Sequence, residues 1–525
     1  MSLVPPVRRM PRIAVVGGGI AGLAAGWELV TAAPGWVTIV VLEQGDRVGG
    51  KLAVTELSGV SGPVAIDAGA ESMLARRPEA VQLAREVGLG EDLQSPVTAD
   101  ARVFSRGARY PLPRGTVLGV PGSAASLTGG LFSDAELARV GAEAQLGPDA
   151  LTATVAAGGD VAIGELVAAR LGAPVADRLL EPLLGGVYAG QARELSLRMT
   201  SPALAVALQA GAGRGEPSLL RAAAQVAARS AAGSATGSAP GSAAGSATGT
   251  PVFAGLRAGV GRLPIAVGQA LRDRGVAVQE QTTVRELTRT PTGWRLVTGP
   301  VPRAQVLEVD AVVLAVPAPA AARLLASAGL AAGAALLAGI EMASVALVHL
   351  AVAGEAAVQL TGSGLLVPPV EGLTVKAATF SSAKWDWQRQ AAPDTTLLRA
   401  SVGRHREQAE LQRSDEDLVE LVLGELTQLT GQPLGRPRGT RRAGLVDARV
   451  VRWGGGLPQY AVGHAERIAA VRESLAMPNG AGQAGLSLCG AAYDGVGIPA
   501  CIASGRAAGR AVLAALSPRV EPAPG

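Results

Sequence analysis

Gly17, Gly19 and Gly22 stand at G-x-G-x-x-G spacing, and Glu43 follows 21 residues after the last of them. Such a set can hold a dinucleotide. Gly17 lets a strand turn sharply into a helix, and Gly19 lets backbone approach a pyrophosphate. Gly22 lets the helix lie close on the strand. Gly18, Ile20 and Ala21 complete the turn, where unpaired N–H groups and the positive dipole end would face the phosphates. Glu43 is placed to accept hydrogen bonds from ribose hydroxyls, which disfavours a 2′-phosphate carrier.

The elements that must position these residues are legible around them. Residues 13–16 are a short apolar run expected of a buried parallel strand, 20–30 carry helical spacing, and 37–42 form a second apolar strand. After Glu43 come Gln44, Arg47, Gly49, Gly50 and Lys51. Paired glycines beside basic residues suit a second backbone passage close to phosphate. The run is similar to the E-x-x-x-R-x-G-G pattern of many FAD-dependent oxidases, so FAD rather than NAD is the expected cofactor.

Composition bounds the rest. The 525 residues allow several domains, and the apolar share of 48% fits a globular protein. A net charge of +4 is small for this length. The densest basic cluster, Arg436, Arg438, Arg441 and Arg442, reads as a solvated loop, so nucleic acid is not an expected partner. Cys489 and Cys501 cannot build a disulfide framework or a thiolate metal site, and His349, His405 and His464 lack ligand spacing. No metal is expected. The basic N-terminus is followed by a strand rather than a cleavable apolar region. Residues 318–340 read as an Ala-rich helical region of a soluble domain. A cytoplasmic protein with at most peripheral membrane contact is expected.

The expected fold class is α/β (α+β overall): a Rossmann-like nucleotide-binding domain, discontinuous in sequence, with a mixed substrate domain and a helical insertion. Its pieces are 11–90, 251–316 and 450–515. Residues 91–229 are the inserted helical lobe facing substrate or membrane, and 317–449 the substrate-binding domain. Within these, helices are expected over 78–87, within 134–210, through 271, over 415–429 and over 498–513, and a hairpin over 104–113. Residues 306–316 read as one apolar strand. Residues 230–250 repeat Gly-Ser-Ala-x, too poor in apolar surface to order, and read as a silent flexible loop.

Several motifs then carry a resemblance. Gly69-Ala70-Glu71-Ser72, Tyr188-Ala189-Gly190 with Leu195-Ser196, Arg452-Trp453 with Pro458-Gln459-Tyr460-x-x-Gly463-His464, and Tyr493-x-Gly495-Val496-Gly497-Ile498-Pro499 stand in order along the chain. From about residue 11 to 513 the chain resembles the flavin-dependent protoporphyrinogen and coproporphyrinogen III oxidases of the amine-oxidase-like superfamily. The resemblance implies FAD contacts at Gly17 to Gly22, Glu43, Gln44, Lys51, Gly69, Ala70, Glu71, Ser72, Val284, Trp453, Val496, Gly497 and Ile498. Ala70 stands where the family usually has proline, and Glu71 at a variable position.

The implied reaction is six-electron oxidation of coproporphyrinogen III to coproporphyrin III, by hydride transfer to flavin N5 three times. Oxygen would reoxidise the flavin and yield hydrogen peroxide, and a downstream ferrochelatase is a partner for product hand-over. The flavin is expected to be held non-covalently, Cys489 notwithstanding. No acid–base dyad stands out. Four propionates call for cations, with Arg77 first and Arg76, Arg193 and Lys384 after it. Rival readings are a protoporphyrinogen IX oxidase, a flavin amine oxidase or carotenoid desaturase, and a non-catalytic flavoprotein.

Overall fold

The computed structural model describes residues 9–127, 129–232, 252–353, 360–434, 444–476 and 485–516. The Gly-Ser-Ala stretch begins inside the helix Leu219–Ala232, and its remainder lies outside the described residues, as does the Arg436 to Arg442 cluster.

Arg12–Val16 is the middle strand of a five-stranded parallel sheet. Thr38–Leu42 and Ala311–Leu314 flank it, and Ala277–Gln279 and Leu486–Leu488 form the edges. The chain thus returns to this sheet three times. The strands read as unbroken apolar runs because both faces are covered. Ile13, Val15, Val41 and Val313 pack under the helices Ile20–Ala32 and Ile498–Leu516. Ala14, Val16, Val40 and Leu314 pack on the opposite side with Trp294, Leu325 and Leu337.

The expected single strand over 306–316 is two. Gln305–Val309 closes an antiparallel meander with Val284–Thr290 and Gly293–Thr298, whereas Ala311–Leu314 enters the parallel sheet. Asp310 marks the break. Its carboxylate accepts the Arg12 backbone N–H at 2.6 Å and the Arg9 guanidinium at 2.7 Å, anchoring the turn to the first strand. Residues 318–340 contain two helices, Ala318–Ser327 and Ala331–Ala338, separated at Gly329. No helix among the described residues is long and apolar enough to cross a membrane.

A second sheet has seven strands. Leu445–Pro458, Met342–Ala353, Thr395–Val402, Val375–Phe380, Gly364–Leu366, Ala101–Ser105 and Ala108–Pro111 follow in that order, the last two being the expected hairpin. Helix Asp415–Thr430 covers one face, burying Leu418, Val422 and Leu426 against Val348, Leu350 and Leu398. The sheet's other face packs Ala351 and Leu397 on Leu57, Val64 and Ile66, and turns Leu347, Arg399 and Ser401 toward a cavity. The helical lobe packs its own core of Leu166, Leu179, Leu184, Leu204 and Leu208. Arg170, on the amphipathic helix Ile163–Leu171, is 1% exposed and donates to Glu143 at 2.9 Å. Removing either partner would leave an uncompensated buried charge in the lobe.

Candidate active site

One cavity of about 1250 Å³ runs from the glycine turn to the second sheet and the helical lobe. That is more than the roughly 300–1,000 Å³ of an ordinary single-ligand pocket, so there is room for two large ligands.

At the first end the wall is backbone. Gly17 has φ +108°, and a Cβ there would meet the Ala315 carbonyl at 2.8 Å. A Cβ on Gly22 would lie 1.9 Å from the Gly17 carbonyl oxygen. Gly19 differs: nothing lies within 4 Å of where its Cβ would be, so its glycine leaves open space at the helix N-terminus. Gly49 donates to the Gly18 carbonyl at 2.8 Å, so the second glycine pair closes over the first. The Arg47 guanidinium ties the 48–52 loop by donating to the carbonyls of Val48, Gly50 and Leu52. Glu43 accepts the N–H of Gly18 and of Gly45, each at 2.7 Å and on different oxygens. Each oxygen keeps a lone pair for a hydroxyl donor. Gln44 and Val284 line the same end. These residues fit an adenine dinucleotide.

The middle of the cavity is built from both ends of the chain. Helices Ile20–Ala32 and Ile498–Leu516 lie so close that a Cβ on Gly505 would sit 2.0 Å from the Ala21 carbonyl. Gly509 stands 3.0 Å from the Ala25 carbonyl in the same sense. This packing brings a second helix N-terminus, with Val496, Gly497 and Ile498, to the cavity that Gly19 already faces. Two positive dipole ends therefore converge where a dinucleotide's diphosphate and a reduced ring would carry negative charge. Trp453 donates its indole N–H to the Ala68 carbonyl at 3.0 Å, and a Cβ on Gly69 would touch that indole at 3.5 Å. Lys51 lines the cavity and its side chain stays open to it, though the protein crowded around it lowers its pKa.

Gly69, Ala70, Glu71 and Ser72 line this middle section. Glu71 is 9% exposed and pairs with Lys384 at 2.5 Å and Arg399 at 3.6 Å. Burial opposes its ionisation, but the Arg399 and Lys384 charges outweigh that and hold its pKa at about 2. Arg399 also donates to the Gly69 carbonyl at 2.7 Å. Lys384 is thus at the cavity, as the sequence reading asks of it, but its charge is committed to Glu71.

The other three cations read from the sequence are not among the cavity's lining residues. Arg77 stands just before the helix Pro78–Glu86, without a side-chain bond to the helix's free N–H groups, and pairs with Glu79 at 2.7 Å. Arg76 packs beside it, half-buried, with Nε and Nη2 unpartnered. Arg193 is held on the lobe's surface by Asp177 at 2.9 Å and Glu165 at 3.2 Å. Basic side chains nonetheless outnumber acidic ones seven to three around the cavity. Sequence reading missed Lys376, Arg399, Arg285 and Arg323 among them. Lys376 and Arg399 sit in strands whose alternation reads as polar face outward, and only the fold turns that face toward a cavity.

Two motifs act as joints. Tyr460 is fully buried; its hydroxyl donates to the Ala491 carbonyl, and its ring packs at a tilt 5.6 Å from Tyr188 and 4.6 Å from His464. His464 meets the Ala492 carbonyl at 2.8 Å, and Ser196 donates to the Tyr460 carbonyl at 2.7 Å. The helical lobe is thereby bolted to the loop before the last helix. Cys489 is wholly buried in the core, where burial raises its thiol pKa; Cys501 lines the cavity, pushed up to about 11. No group of side chains among the described residues could hold a metal ion.

The chain is similar to known proteins in sequence and fold. Residues 20–513 match the family described as flavin containing amine oxidoreductase. Coproporphyrinogen III oxidase of Mycobacterium leprae is 37% identical over 505 residues, covering 95% of this chain and 97% of that one. The Bacillus subtilis protein of the same name is 28% identical, covering 94% and 96%. A crystal structure from Exiguobacterium sp. 255-15, provisionally assigned as a protoporphyrinogen oxidase, aligns with TM-score 0.76 at 29% identity, covering 96% of this chain and 99% of that one. This chain therefore belongs to the flavin containing amine oxidoreductase family, stands with its coproporphyrinogen III oxidases, and is a flavin-dependent oxidase.

Proposed function

We propose that the protein holds FAD non-covalently and oxidises coproporphyrinogen III to coproporphyrin III. The observation that carries this reading is a single cavity with a glycine-walled backbone end and a basic, partly apolar end. When bound, FAD would supply the oxidation itself, as a hydride acceptor at N5 used three times over, with oxygen as the final acceptor and hydrogen peroxide as by-product. The chain's own residues bind, orient and desolvate. Gly17 to Gly22 cradle the diphosphate and Glu43 takes the ribose. The Gly69 to Ser72 turn, Lys51, Trp453 and the Val496 to Ile498 helix start surround the ring. Flavin-binding pieces are 11–90, 251–316 and 450–515, with substrate between 317–449 and the lobe. Burial of both thiols keeps them protonated, against covalent attachment.

Leu183, Val187, Leu365 and Leu366 give the far end an apolar wall suited to the hydrocarbon body of a large, flexible tetrapyrrole. Proton loss from pyrrole nitrogens needs only water or the substrate. The surroundings we infer are cytoplasmic, with the product passing to a metal-inserting enzyme. The test is turnover of coproporphyrinogen III and, separately, protoporphyrinogen IX in air, followed by porphyrin fluorescence and peroxide. Faster turnover of coproporphyrinogen, with peroxide formed, is the expected result. Faster turnover of protoporphyrinogen would overturn the substrate assignment, and turnover of neither would overturn the reaction.

A further inference from the structure

Lys376 is the one cavity-lining lysine that is both deeply buried, at 4% exposed, and without a hydrogen-bond or ion-pair partner for its ammonium among the described residues. Its position is built rather than incidental. In the strand Val375–Phe380, Val375 pairs with Val402 and Ala377 with Ser401, so Lys376 is an extra residue in the ladder. Such a bulge re-aims a side chain. Val375, Ala378 and Phe380 are part of the core beneath helix Asp415–Thr430. Lys376 lines the cavity instead, on the wall it shares with Leu183, Leu365 and Leu366.

The surroundings make this charge expensive. Arg404, its charged neighbour, has the same sign and is itself 8% exposed. Arg404 spends its donors on the carbonyls of Leu373 and Val367, both at 3.4 Å, with Glu407 at 3.8 Å. Glu425 is used by the backbone N–H groups of Thr374 and Val375. Glu181 accepts the Ala192 N–H. Burial first, and Arg404 second, pull the Lys376 pKa down to about 7. A buried amine with a like charge beside it, and no acid paired with it among the described residues, is stabilised by an anion arriving from the cavity. The committed pair Lys384 and Glu71 offers no such vacancy.

We propose that the Lys376 ammonium binds one propionate carboxylate of the tetrapyrrole at the inner end of the cavity, and so selects carboxylated porphyrinogens. The inference rests on the porphyrinogen reading above. It is tested on the flavin-loaded protein by titrating coproporphyrin III, the product, against quenching of porphyrin fluorescence. Lys376→Met is expected to weaken binding about 30-fold, as for a charged hydrogen bond, with flavin content unchanged and the melting temperature no lower than wild type. Lys376→Arg is expected to restore affinity to within about threefold of wild type, because it keeps the charge. Unchanged coproporphyrin affinity in Lys376→Met, with wild type binding normally, overturns the proposal alone; if kcat then falls, the amine handles a proton instead. Equal losses in the Met and Arg variants also overturn it, since shape rather than charge would matter. Failure of the wild-type protein to bind coproporphyrin sinks the proposal together with the reading beneath it.

Discussion

The two ends of the cavity recognise their ligands by different means. At the dinucleotide end the wall is peptide backbone, with glycines that admit close approach and two helix N-termini that supply positive dipole ends. At the far end the wall is side chains, apolar leucines from the helical lobe and the second sheet with a few buried cations from two neighbouring strands of that sheet. Backbone recognition constrains which residues are tolerated at fixed spacing, so it is written into a short motif. Side-chain recognition depends on which face a strand turns inward, so it is written in the fold.

That contrast can be broken at the backbone end first. Gly22→Val should have the largest effect, on the order of 4 kcal/mol, because a Cβ 1.9 Å from the Gly17 carbonyl forces the turn apart. The variant should purify without flavin absorbance and melt earlier than the flavin-free wild type. A yellow, normally stable Gly22→Val protein would show that the tight turn is not needed.

Glu71→Gln probes the middle. It leaves Lys384 and Arg399 without their anion, and about 3 kcal/mol should be lost in urea unfolding. The sign with pH follows from the depressed pKa. The carboxyl titrates near 2 in the fold against an ordinary 4.5, so its contribution is complete above pH 4.5 and fades as pH falls toward 2. The gap between wild type and variant should close over that window. A gap independent of pH would mean the loss is one of packing.

Gly19→Ala sharpens the comparison by separating fold from ligand. Nothing among the described residues opposes the new methyl group, so flavin-free stability should change by less than about 0.5 kcal/mol. Flavin retention should nevertheless collapse, because the methyl fills the approach to the diphosphate. Retained flavin would remove Gly19 from the phosphate site. Smallest of all is the expected effect of Cys489→Ala on flavin content, read as free FAD released by acid: none. Flavin that stays with the precipitated wild-type chain but is freed from the variant would reveal a covalent link.

Much of the dinucleotide end was legible because Gly17, Gly19, Gly22, Glu43 and the paired glycines at 49 and 50 are demanded by local geometry. The motif around Tyr460 and His464 was legible as a pattern but not as a role: it is a joint between the lobe and the last helix, which only tertiary contact reveals. Asp310 breaks an apolar run that reads as one strand, because its partners Arg9 and Arg12 lie some three hundred residues away. Gly505 and Gly509 look like ordinary small residues in an Ala-rich helix until they meet Ala21 and Ala25. Lys376 could not have been found from alternation alone, since a bulge changes the face on which it falls. The expectation for Arg193 failed to foresee that Glu165 and Asp177 would hold it on the surface.

The most direct measurement mixes the flavin-loaded protein with coproporphyrinogen III without oxygen and follows the flavin absorbance band. If the two ends of the cavity hold flavin and tetrapyrrole side by side, the band should bleach as porphyrin fluorescence rises, and return when air is admitted. A band that stays oxidised with coproporphyrinogen, yet bleaches with an amine, would contradict the account and make the protein an amine oxidase.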